Sequence, residues 1–393
     1  MRLYRNLSES VVQLLYEIFE EGRYADKVIE KAFKQNPRWG SRDRRFVAET
    51  TYDIVRWCRL YQAWAGTSNQ DYWSLLGIWC LKHDAELPPW NEFDPVRGAN
   101  TEHLPAKRAV RESIPDWLDE LGATELKEKW EREIHVLNEQ ARVVLRANTL
   151  KIKRKALQQL LLDSHEIRTE APDNFPDALV LEERQNVFTT QAFKDGLFEV
   201  QDAGSQLIAP FLDVQSGMRI IDACAGGGGK SLHLAALLQN KGRVISMDTE
   251  SWKLEELKKR ARRAGASNIE TRIIESTKTI KRLAENADRL LLDVPCSGLG
   301  VLRRNPDAKW KLDTAFIDQV KVTQQKILQD YCKMLKPGGK MVYSTCSILP
   351  SENEMQVHAF LEAHAEYKLE EMKTVYPSEG FDGFFMARLV RLT

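Results

Sequence analysis

A glycine-rich stretch near the middle of the chain, Arg219–Ser231, constrains the fold most strongly. An apolar run ends there at Asp222, four consecutive glycines follow at Gly226–Gly229, and an apolar helical segment begins after Lys230. A strand, a glycine-rich turn and a helix in this order are typical of cofactor sites in doubly wound α/β domains. Glycine lets the backbone approach a ligand because no Cβ intervenes. The stretch therefore predicts an α/β sheet with a cofactor at its edge.

A phosphate-binding P-loop is one alternative for this stretch, because Gly229 is followed by Lys230 and Ser231. The P-loop pattern also needs a glycine five positions before Gly229. Cys224 occupies that position, so the chain departs from the pattern at its first required residue. The P-loop interpretation is therefore disfavoured, and the residues at the predicted strand ends become the better guide to the ligand.

Acidic residues stand at the ends of four strands predicted after residue 204. In strand order these acids are Asp222, Asp248, Glu275 and Asp293. Ligands of open parallel sheets bind at the carboxyl ends of the strands, so we expect the four acids on one rim. Asp248 follows Asp222 by 26 residues (248 − 222), which suits a carboxylate bound to ribose hydroxyls. A nicotinamide dehydrogenase shares this acid but needs a G-x-G-x-x-G fingerprint, whereas S-adenosylmethionine has no pyrophosphate and fits better.

Changes of pattern along the chain predict three domains. Residues 1–140 have apolar residues at helical spacing and predict an all-α domain. Residues 141–205 predict a small α+β module, and residues 206–393 alternate strand and helix as parallel α/β folds do. We therefore expect a Rossmann-like, mostly parallel catalytic domain at the C-terminal end. A chain of 393 residues is long enough for more than one core.

Composition and charge narrow the class of protein. The formal net charge is zero, which argues against coating nucleic acid by charge alone but is compatible with a local basic groove. Neither an apolar leader nor an apolar stretch of about 18 residues is present, which predicts a cytoplasmic protein with no membrane partner. The six cysteines lack zinc spacing and predict free thiols with no metal site.

Two cysteine motifs carry a resemblance to a known family. They are Asp293-Val294-Pro295-Cys296-Ser297-Gly298 and Tyr343-Ser344-Thr345-Cys346-Ser347. With both motifs, the chain resembles the RNA 5-methylcytosine methyltransferases of the Sun (Fmu) family. The further matches are the stretches 303–310 and 382–388, Glu352-Asn353-Glu354 and Ile114-Pro115-Asp116-Trp117-Leu118. The match runs at least from Leu145 to the C-terminus, and the helical region is more weakly similar to a NusB-like domain.

The resemblance implies a catalytic role for each motif. The cysteine of the Thr-Cys motif, Cys346, attacks the base, and the cysteine of the Pro-Cys motif, Cys296, helps to release the product. Attack at carbon 6 of cytosine makes carbon 5 enamine-like and able to accept a methyl group. Asp293 is placed to hydrogen-bond nitrogen 3 and the amino group of the base, and by resemblance Lys230 joins it there.

The predicted cofactor-binding residues follow from the glycine-rich stretch and the strand-end acids. They are Asp222, Ala223, Cys224, Ala225, Gly226, Gly227, Gly228, Gly229, Lys230, Asp248, Glu275 and Asp293. The chain departs from the family at two points. Gly226-Gly227 stands where the family usually has Ala-Pro, and Glu275 stands where it usually has Asp.

The basic segment after Cys296 has two interpretations. Its basic residues are Arg303, Arg304, Lys309 and Lys311. These side chains are predicted to hold phosphates that flank the target base. Trp310 is expected either to stack on a base or to pack beneath the loop.

The substrate predicted from the resemblance is RNA, with ribosomal RNA first and transfer RNA as the alternative. A DNA cytosine-5 methyltransferase uses the Pro-Cys cysteine as its nucleophile and has no need of Cys346, which disfavours that class. A non-catalytic RNA-binding or ribosome-assembly factor is the remaining alternative. It is opposed by the presence of Cys296, Cys346, Asp293 and Lys230. A monomer is expected.

Overall fold

The computed structural model describes residues 3–67 and 71–393, which divide between two compact units. The helical unit comprises Met1–Glu139 and Leu302–Thr314. The α/β unit comprises Gln140–Val301 and Ala315–Thr393. Within the described residues, no helix has both the length and the apolar character needed to cross a membrane.

The helical unit is built from helices, of which the first four pack around one apolar core. Its α-helices are Arg5–Phe19, Ala25–Gln35, Ser41–Ala65, Tyr72–Lys82, Arg108–Arg111, Asp116–Leu126, Trp130–Leu137 and Ala308–Lys311, with 3₁₀ turns at Asn91–Val96 and Lys127–Lys129. Val11, Leu14, Leu15 and Ile18 recur at spacings of three and four residues in the first helix, and all four are buried. The helical pattern predicted from the sequence is therefore present in this region.

Residues 302–314 pack within the helical unit, although the chain on either side belongs to the α/β unit. The Lys309 side chain is 1% exposed, and its Nζ donates to the carbonyl of Arg56 at 2.8 Å and to Oδ1 of Asn138 at 3.0 Å. Burial lowers the pKa of Lys309 well below its usual range. Trp310 donates from Nε1 to the carbonyl of Val55 at 2.7 Å and packs against the helical core.

The phosphate-binding interpretation of Lys309 and Arg303 is therefore wrong. Arg303 is buried, its Nε donates to the carbonyl of Val136 at 3.0 Å, and its Nη2 pairs with Glu139 at 3.0 Å. Both side chains are hydrogen-bonded to partners inside the helical unit, and Trp310 packs beneath the loop instead of being free to stack on a base. The domain boundary near residue 140 stays a prediction. The structure shows in addition that residues 302–314 belong to the helical unit.

A small antiparallel sheet opens the α/β unit. Its strands are β1 (Val144–Ala147), β2 (Thr169–Glu170), β3 (Ala178–Leu181) and β4 (Phe198–Val200), in the order β2-β3-β1-β4. The accompanying helices are Arg154–His165 and Gln191–Lys194. Leu157 and Leu161 on the first helix bury their side chains against Leu145 and Leu179 of the sheet. This is the predicted α+β module.

The main sheet has seven strands in the order β10-β11-β9-β8-β5-β6-β7. They are β5 (Arg219–Asp222), β6 (Arg243–Asp248), β7 (Ile269–Ile273), β8 (Ala287–Asp293), β9 (Leu335–Thr345), β10 (Tyr367–Val375) and β11 (Phe384–Arg391). Strands β5 to β9 pair in parallel, whereas β11 lies between β9 and β10 and is antiparallel to both. The predicted class, a doubly wound and mostly parallel sheet, is confirmed.

Helices connect and cover the strands of the main sheet. They are Ala203–Gln206, Ile208–Phe211, Gly229–Leu237, Ser251–Ala264, Thr277–Lys281, Thr314–Tyr331 and Glu354–Ala363, with 3₁₀ turns at Leu299–Val301, Cys332–Met334, Pro350–Glu352 and Pro377–Glu379. The central strands are apolar on both faces, as burial between two helical layers requires.

The strand order arranges the predicted site residues along one rim. Asp293 ends β8 and pairs in register with Ser344 of β9, so Cys346 follows at the same edge. Asp222 of the neighbouring β5 pairs with Ser246 of β6, and Asp248 ends β6. Cysteines thus occupy one end of the rim and acids the other, with Asp293 between them.

Candidate active site

A cavity of about 550 Å³ opens at the carboxyl ends of β5, β6 and β7. Its lining includes three predicted acids, Asp248, Glu275 and Asp293. Apolar side chains from Ile274 and Ile280 complete the wall at this end. This volume lies in the range typical of small-molecule sites, and the walls combine apolar side chains with a few polar groups.

The glycine-rich loop borders this cavity and needs glycine at specific positions. Gly228 has φ +85°, and a Cβ there would lie 2.4 Å from Cγ of Leu257. Gly226 has φ +52°, which is unfavourable for Ala, the residue that the family usually has there. The Gly226 N–H donates to Oδ2 of Asp248 at 2.9 Å. The departure from Ala-Pro therefore coincides with a left-handed backbone that is tied to a rim carboxylate.

Two arginines that the sequence interpretation missed hold the same loop. Arg146 on β1 donates to the carbonyl of Gly229 at 2.8 Å, and Arg260 donates to the carbonyl of Gly227 at 2.7 Å. Arg260 also pairs with the buried Glu199 at 2.9 Å. Burial lowers the pKa of Arg146 to about 10. An arginine inside the apolar run of β1 was the signal available in the sequence.

Asp222 is fully buried and lies beneath the loop. Its Oδ2 accepts a hydrogen bond from Oγ of Ser231 at 2.6 Å, and Ser231 in turn accepts one from Oγ of Ser246 at 2.8 Å. Its Oδ1 has no hydrogen-bond partner among the described residues. Burial raises the pKa of Asp222 to about 7. Asp222 is therefore a carboxyl group held in an environment that disfavours its charge.

The predicted cofactor residues divide between two adjoining cavities. Those that line the large cavity are Ala223, Cys224, Gly226, Asp248, Glu275 and Asp293. Those that line a second cavity of about 200 Å³ are Asp222, Cys224, Ala225, Gly229, Lys230 and Asp293. Gly227 and Gly228 contribute backbone to the loop between them. Cys224 and Asp293 belong to both walls, so the two cavities meet at these residues.

Lys230 and Asp293 form a close ion pair at that meeting point. Their Nζ and Oδ2 atoms are 2.6 Å apart, and Oγ of Ser344 donates to Oδ1 of Asp293 at 3.0 Å. Burial lowers the pKa of Lys230, but the charge and hydrogen bond of Asp293 and the charge of Cys346 outweigh it and raise this pKa overall. The site thus keeps a protonated amine near Cys346.

The two predicted catalytic cysteines are neighbours. Their Sγ atoms are 3.2 Å apart, and the backbone N–H of Cys346 donates to Sγ of Cys296 at 3.3 Å. Both are free thiols. The hydrogen bond with Cys346, burial and the charges of Cys346 and Glu352 raise the pKa of Cys296 well above its usual range. Cys296 is therefore a protonated thiol at neutral pH.

Comparison with known proteins identifies the family to which this fold belongs. A family described as 16S rRNA methyltransferase RsmB/F matches residues 209–390, and a ferredoxin-like domain of RsmF/B-like methyltransferases matches residues 114–188. A probable ribosomal RNA small subunit methyltransferase B from Synechocystis sp. is 30% identical over 96% of this chain and 97% of its own length. The Bacillus subtilis protein of the same name is 35% identical over 70% of this chain and 60% of its own length.

Solved structures share the fold at lower identity. The crystal structure of PH0851 matches with a TM-score of 0.86 at 22% identity and covers 99% of both chains. NSun6 from Pyrococcus horikoshii, crystallised with SFG, matches with a TM-score of 0.65 at 22% identity over 72% of this chain and 99% of its own. The parallel sheet, glycine-rich loop and acidic rim define an S-adenosylmethionine-dependent methyltransferase. The chain belongs to the RsmB/F family of these enzymes.

The residues around the large cavity fit S-adenosylmethionine by their chemistry. Asp248 offers a carboxylate suited to a ribose diol, and Ile274 and Ile280 offer apolar surface suited to an adenine ring. A Cβ built on Gly226 would meet only open space, so the main chain there is accessible to a ligand. Among the described residues, no group of His, Cys, Asp or Glu is arranged to hold a metal ion.

Asp248→Ala is expected to weaken the binding of S-adenosylmethionine about tenfold or more. Asp248 lines the cavity and also accepts the N–H of Gly226, so its loss removes a charged acceptor and loosens the loop. A hydrogen bond to a charged group contributes about 1.5–3 kcal/mol. Titration calorimetry measures the change, with Glu255→Ala on the exposed face of the following helix as the control. Unchanged affinity in Asp248→Ala would remove this residue from the cofactor site.

Proposed function

We propose that this protein is an S-adenosylmethionine-dependent RNA (cytosine-5) methyltransferase that modifies ribosomal RNA of the small subunit in the cytoplasm. The names of its relatives support the RNA class. The observation that carries the cytosine-5 chemistry is the pair of thiols 3.2 Å apart at the ends of β8 and β9. The ion pair of Lys230 and Asp293 beside them supplies groups that suit a cytosine base.

Cys346 is the proposed nucleophile. Its thiolate adds to carbon 6 of cytosine, which makes carbon 5 enamine-like and turns one difficult step into two easier ones. A free thiol with a pKa of about 8.5 is only a few per cent ionised at pH 7, so a nearby cation is needed. Lys230 provides that cation, because it stays protonated through its contact with Asp293. Asp293 accepts a hydrogen bond from the amino group of the base.

The cofactor supplies an electrophilic methyl group when bound, and Asp248, Glu275 and the main chain around Gly226 are the proposed groups that hold it. The task left to the protein is to remove the carbon 5 proton. Loss of that proton forms the carbon 5–carbon 6 double bond and breaks the bond from carbon 6 to sulfur, which restores Cys346.

Cys296 is the proposed base or relay for that proton. Before the reaction its pKa is raised first of all by the hydrogen bond with Cys346. In the adduct the Cys346 sulfur is bonded to carbon, so it carries no negative charge and donates no S–H. The largest cause of the raised pKa is then removed, although burial and the charge of Glu352 remain. Cys296 therefore gives its own proton to water more readily than before, and its thiolate accepts the proton from carbon 5. The order of events thus follows from the contact between the two thiols.

The domain organisation predicted from the sequence is part of this proposal. We propose a helical domain at 1–140 for binding RNA, an α+β module at 141–205 and a catalytic domain at 206–393, within which residues 302–314 pack in the helical unit. Support for the module comes from the hydrogen bond of Arg146, which ties β1 to the glycine-rich loop. The α+β module is therefore part of the site and not only a spacer.

The purified protein is expected to transfer methyl groups from labelled S-adenosylmethionine to small-subunit ribosomal RNA. Digestion to nucleosides followed by mass spectrometry should find the label in 5-methylcytidine. Total transfer RNA and cytosine-containing DNA serve as comparison substrates, and Cys346→Ala serves as the inactive control. Label found only in transfer RNA, only in DNA, or in another nucleoside would contradict the proposal.

A further inference from the structure

Glu352 is a fully buried carboxylate in the turn before the helix Glu354–Ala363. Its Oε1 accepts hydrogen bonds from the hydroxyls of Ser297 and Ser347 at 2.5 and 2.6 Å. Its Oε2 accepts from the N–H of Ser297 at 2.8 Å and from Nε2 of Gln324 at 3.1 Å. Four donors to one carboxyl group are consistent with an ionised carboxylate, which accepts at both oxygens.

The donors to Glu352 come from both cysteine loops. Ser297 directly follows Cys296, and Ser347 directly follows Cys346. The hydroxyls of the two serines also contact each other at 3.2 Å. One carboxylate therefore connects the loop after β8 with the loop after β9, next to the point where their thiols meet.

The next residue, Asn353, strengthens the same connection. Its Oδ1 accepts a hydrogen bond from Oγ1 of Thr345 at 2.6 Å, and its Nδ2 donates to the carbonyl of Ser347 at 3.0 Å. The backbone carbonyl of Glu352 accepts from the hydroxyl of Tyr343 at 2.6 Å. Residues 352–353 are thus fixed on β9. The hydrogen bonds from Ser297 to the Glu352 carboxylate extend this network to the Cys296 loop.

Burial of the Glu352 carboxylate costs free energy, because an isolated charged carboxylate is unfavourable to remove from water. Among the described residues, the side-chain partners of Glu352 are Ser297, Ser347 and Gln324, and no Lys, Arg or His forms an ion pair with it. Its charge is balanced only by hydrogen-bond donors, chiefly from the two loops. A neutral amide has only one acceptor oxygen, so it could not accept all four of these hydrogen bonds.

We propose that Glu352 is a positioning residue that holds the Cys296 and Cys346 loops together and keeps the two thiols at reacting distance. The inference rests on the proposed function, in which the two thiols act in sequence on one base. It goes beyond that function because Glu352 touches neither thiol through a hydrogen bond and acts through Ser297 and Ser347.

Because Glu352 carries a charge, its removal should change the pKa of Cys296, an effect that a loss of packing alone would not produce. The ionisable groups that raise the pKa of Cys296 are Cys346, through its hydrogen bond and charge, and Glu352, through its charge. Removing the charge of Glu352 should lower the pKa of Cys296. Alkylation of Cys296 should then begin at a lower pH, since the thiolate is the reactive form.

The test compares Glu352→Gln with Glu354→Gln. Glu354 lies two positions further on and accepts from Oγ1 of Thr374, which is not part of either cysteine loop. Glu352→Gln should lower kcat about tenfold or more, because a neutral amide cannot accept all four hydrogen bonds. The KM values for RNA and for S-adenosylmethionine should change little, and Glu354→Gln should retain the activity of the unmodified protein.

The second part of the test is the labelling of Cys296 with iodoacetamide, which is measured by peptide mass spectrometry and needs no RNA. The labelling of Cys296 should move to lower pH in Glu352→Gln and stay in place in Glu354→Gln.

If Glu352→Gln does not fold, Ser347→Ala removes a single donor from the Cys346 loop and should still lower kcat with unchanged KM values. Unchanged kcat together with an unchanged labelling profile in a folded Glu352→Gln protein would overturn the proposal. Lack of 5-methylcytidine formation by the unmodified protein would instead contradict the proposed function, and the labelling result would still decide the electrostatic effect of Glu352.

Discussion

Cys346→Ala is expected to lose methyl transfer by on the order of 10⁴-fold or more, and to form no covalent complex with RNA. Without the Cys346 sulfur, no adduct forms at carbon 6 and carbon 5 stays a poor nucleophile. Cys296 lies only 3.2 Å from Cys346 but is assigned to the later release of the carbon 5 proton, so it is not expected to substitute as the nucleophile. Methyl transfer and a denaturing gel of the protein–RNA mixture measure the two effects.

Cys296→Ala is the matched variant and should behave in the opposite way on the gel. It retains Cys346, so it should attack and methylate the base, then stall before the carbon 5 proton is lost. A protein–RNA band should therefore survive denaturation. A band from Cys346→Ala and none from Cys296→Ala would reverse the assignment, as in DNA cytosine-5 methyltransferases. Bands from neither variant, with an inactive unmodified protein, would favour a non-catalytic RNA-binding factor.

Lys230→Met is expected to lower kcat by about 10²–10³-fold, the second-largest effect. Its amine is 2.6 Å from Asp293 and is the cation near Cys346. Removal of one partner from a largely buried pair leaves the other charge uncompensated, so thermal stability should fall as well. Single-turnover methylation at saturating cofactor isolates the chemical step.

Lys258→Met controls for the loss of a lysine from the same domain. Lys258 pairs with Glu255 on an exposed face of the helix Ser251–Ala264 and should leave kcat and stability unchanged. A folded Lys230→Met protein with the kcat of the unmodified enzyme would show that the pair with Asp293 is structural. The proposed role of Lys230 would then be wrong.

The rim of the sheet was predictable because its signals are local. Strands β5, β6 and β8 each carry a mainly apolar run that ends at an aspartate, so Asp222, Asp248 and Asp293 identify their own strand ends. The parallel sheet then brings these ends together without any further information. The adjacency of Cys296 and Cys346 follows from the same rule, since they come after neighbouring strands β8 and β9.

The role of the segment 302–314 was not predictable from its composition. Lys309 and Trp310 have the residue types expected for an RNA contact, yet their partners are backbone carbonyls of Arg56 and Val55. These carbonyls lie about 250 positions earlier in the chain, and no pattern of residue types marks a carbonyl group as an acceptor. Burial of a basic side chain is decided by such distant partners.

Glu352 and Arg146 were missed for a related reason. In the sequence, Glu352 is recognisable only as part of a motif that matches the family. No neighbouring cation and no periodic pattern indicates that its side chain is buried. Its partners Ser297 and Gln324 become neighbours only when the sheet forms. Arg146 interrupted an apolar strand, which signals a buried charge but does not identify the glycine-rich loop as its partner.

Bisulfite sequencing of small-subunit ribosomal RNA tests the central claim most directly. RNA is taken from cells that lack the gene and from the same cells supplied with the unmodified protein or with Cys346→Ala. The proposed function predicts a cytosine that resists conversion only when the unmodified protein is present. Identical conversion at every cytosine in the three samples would contradict it.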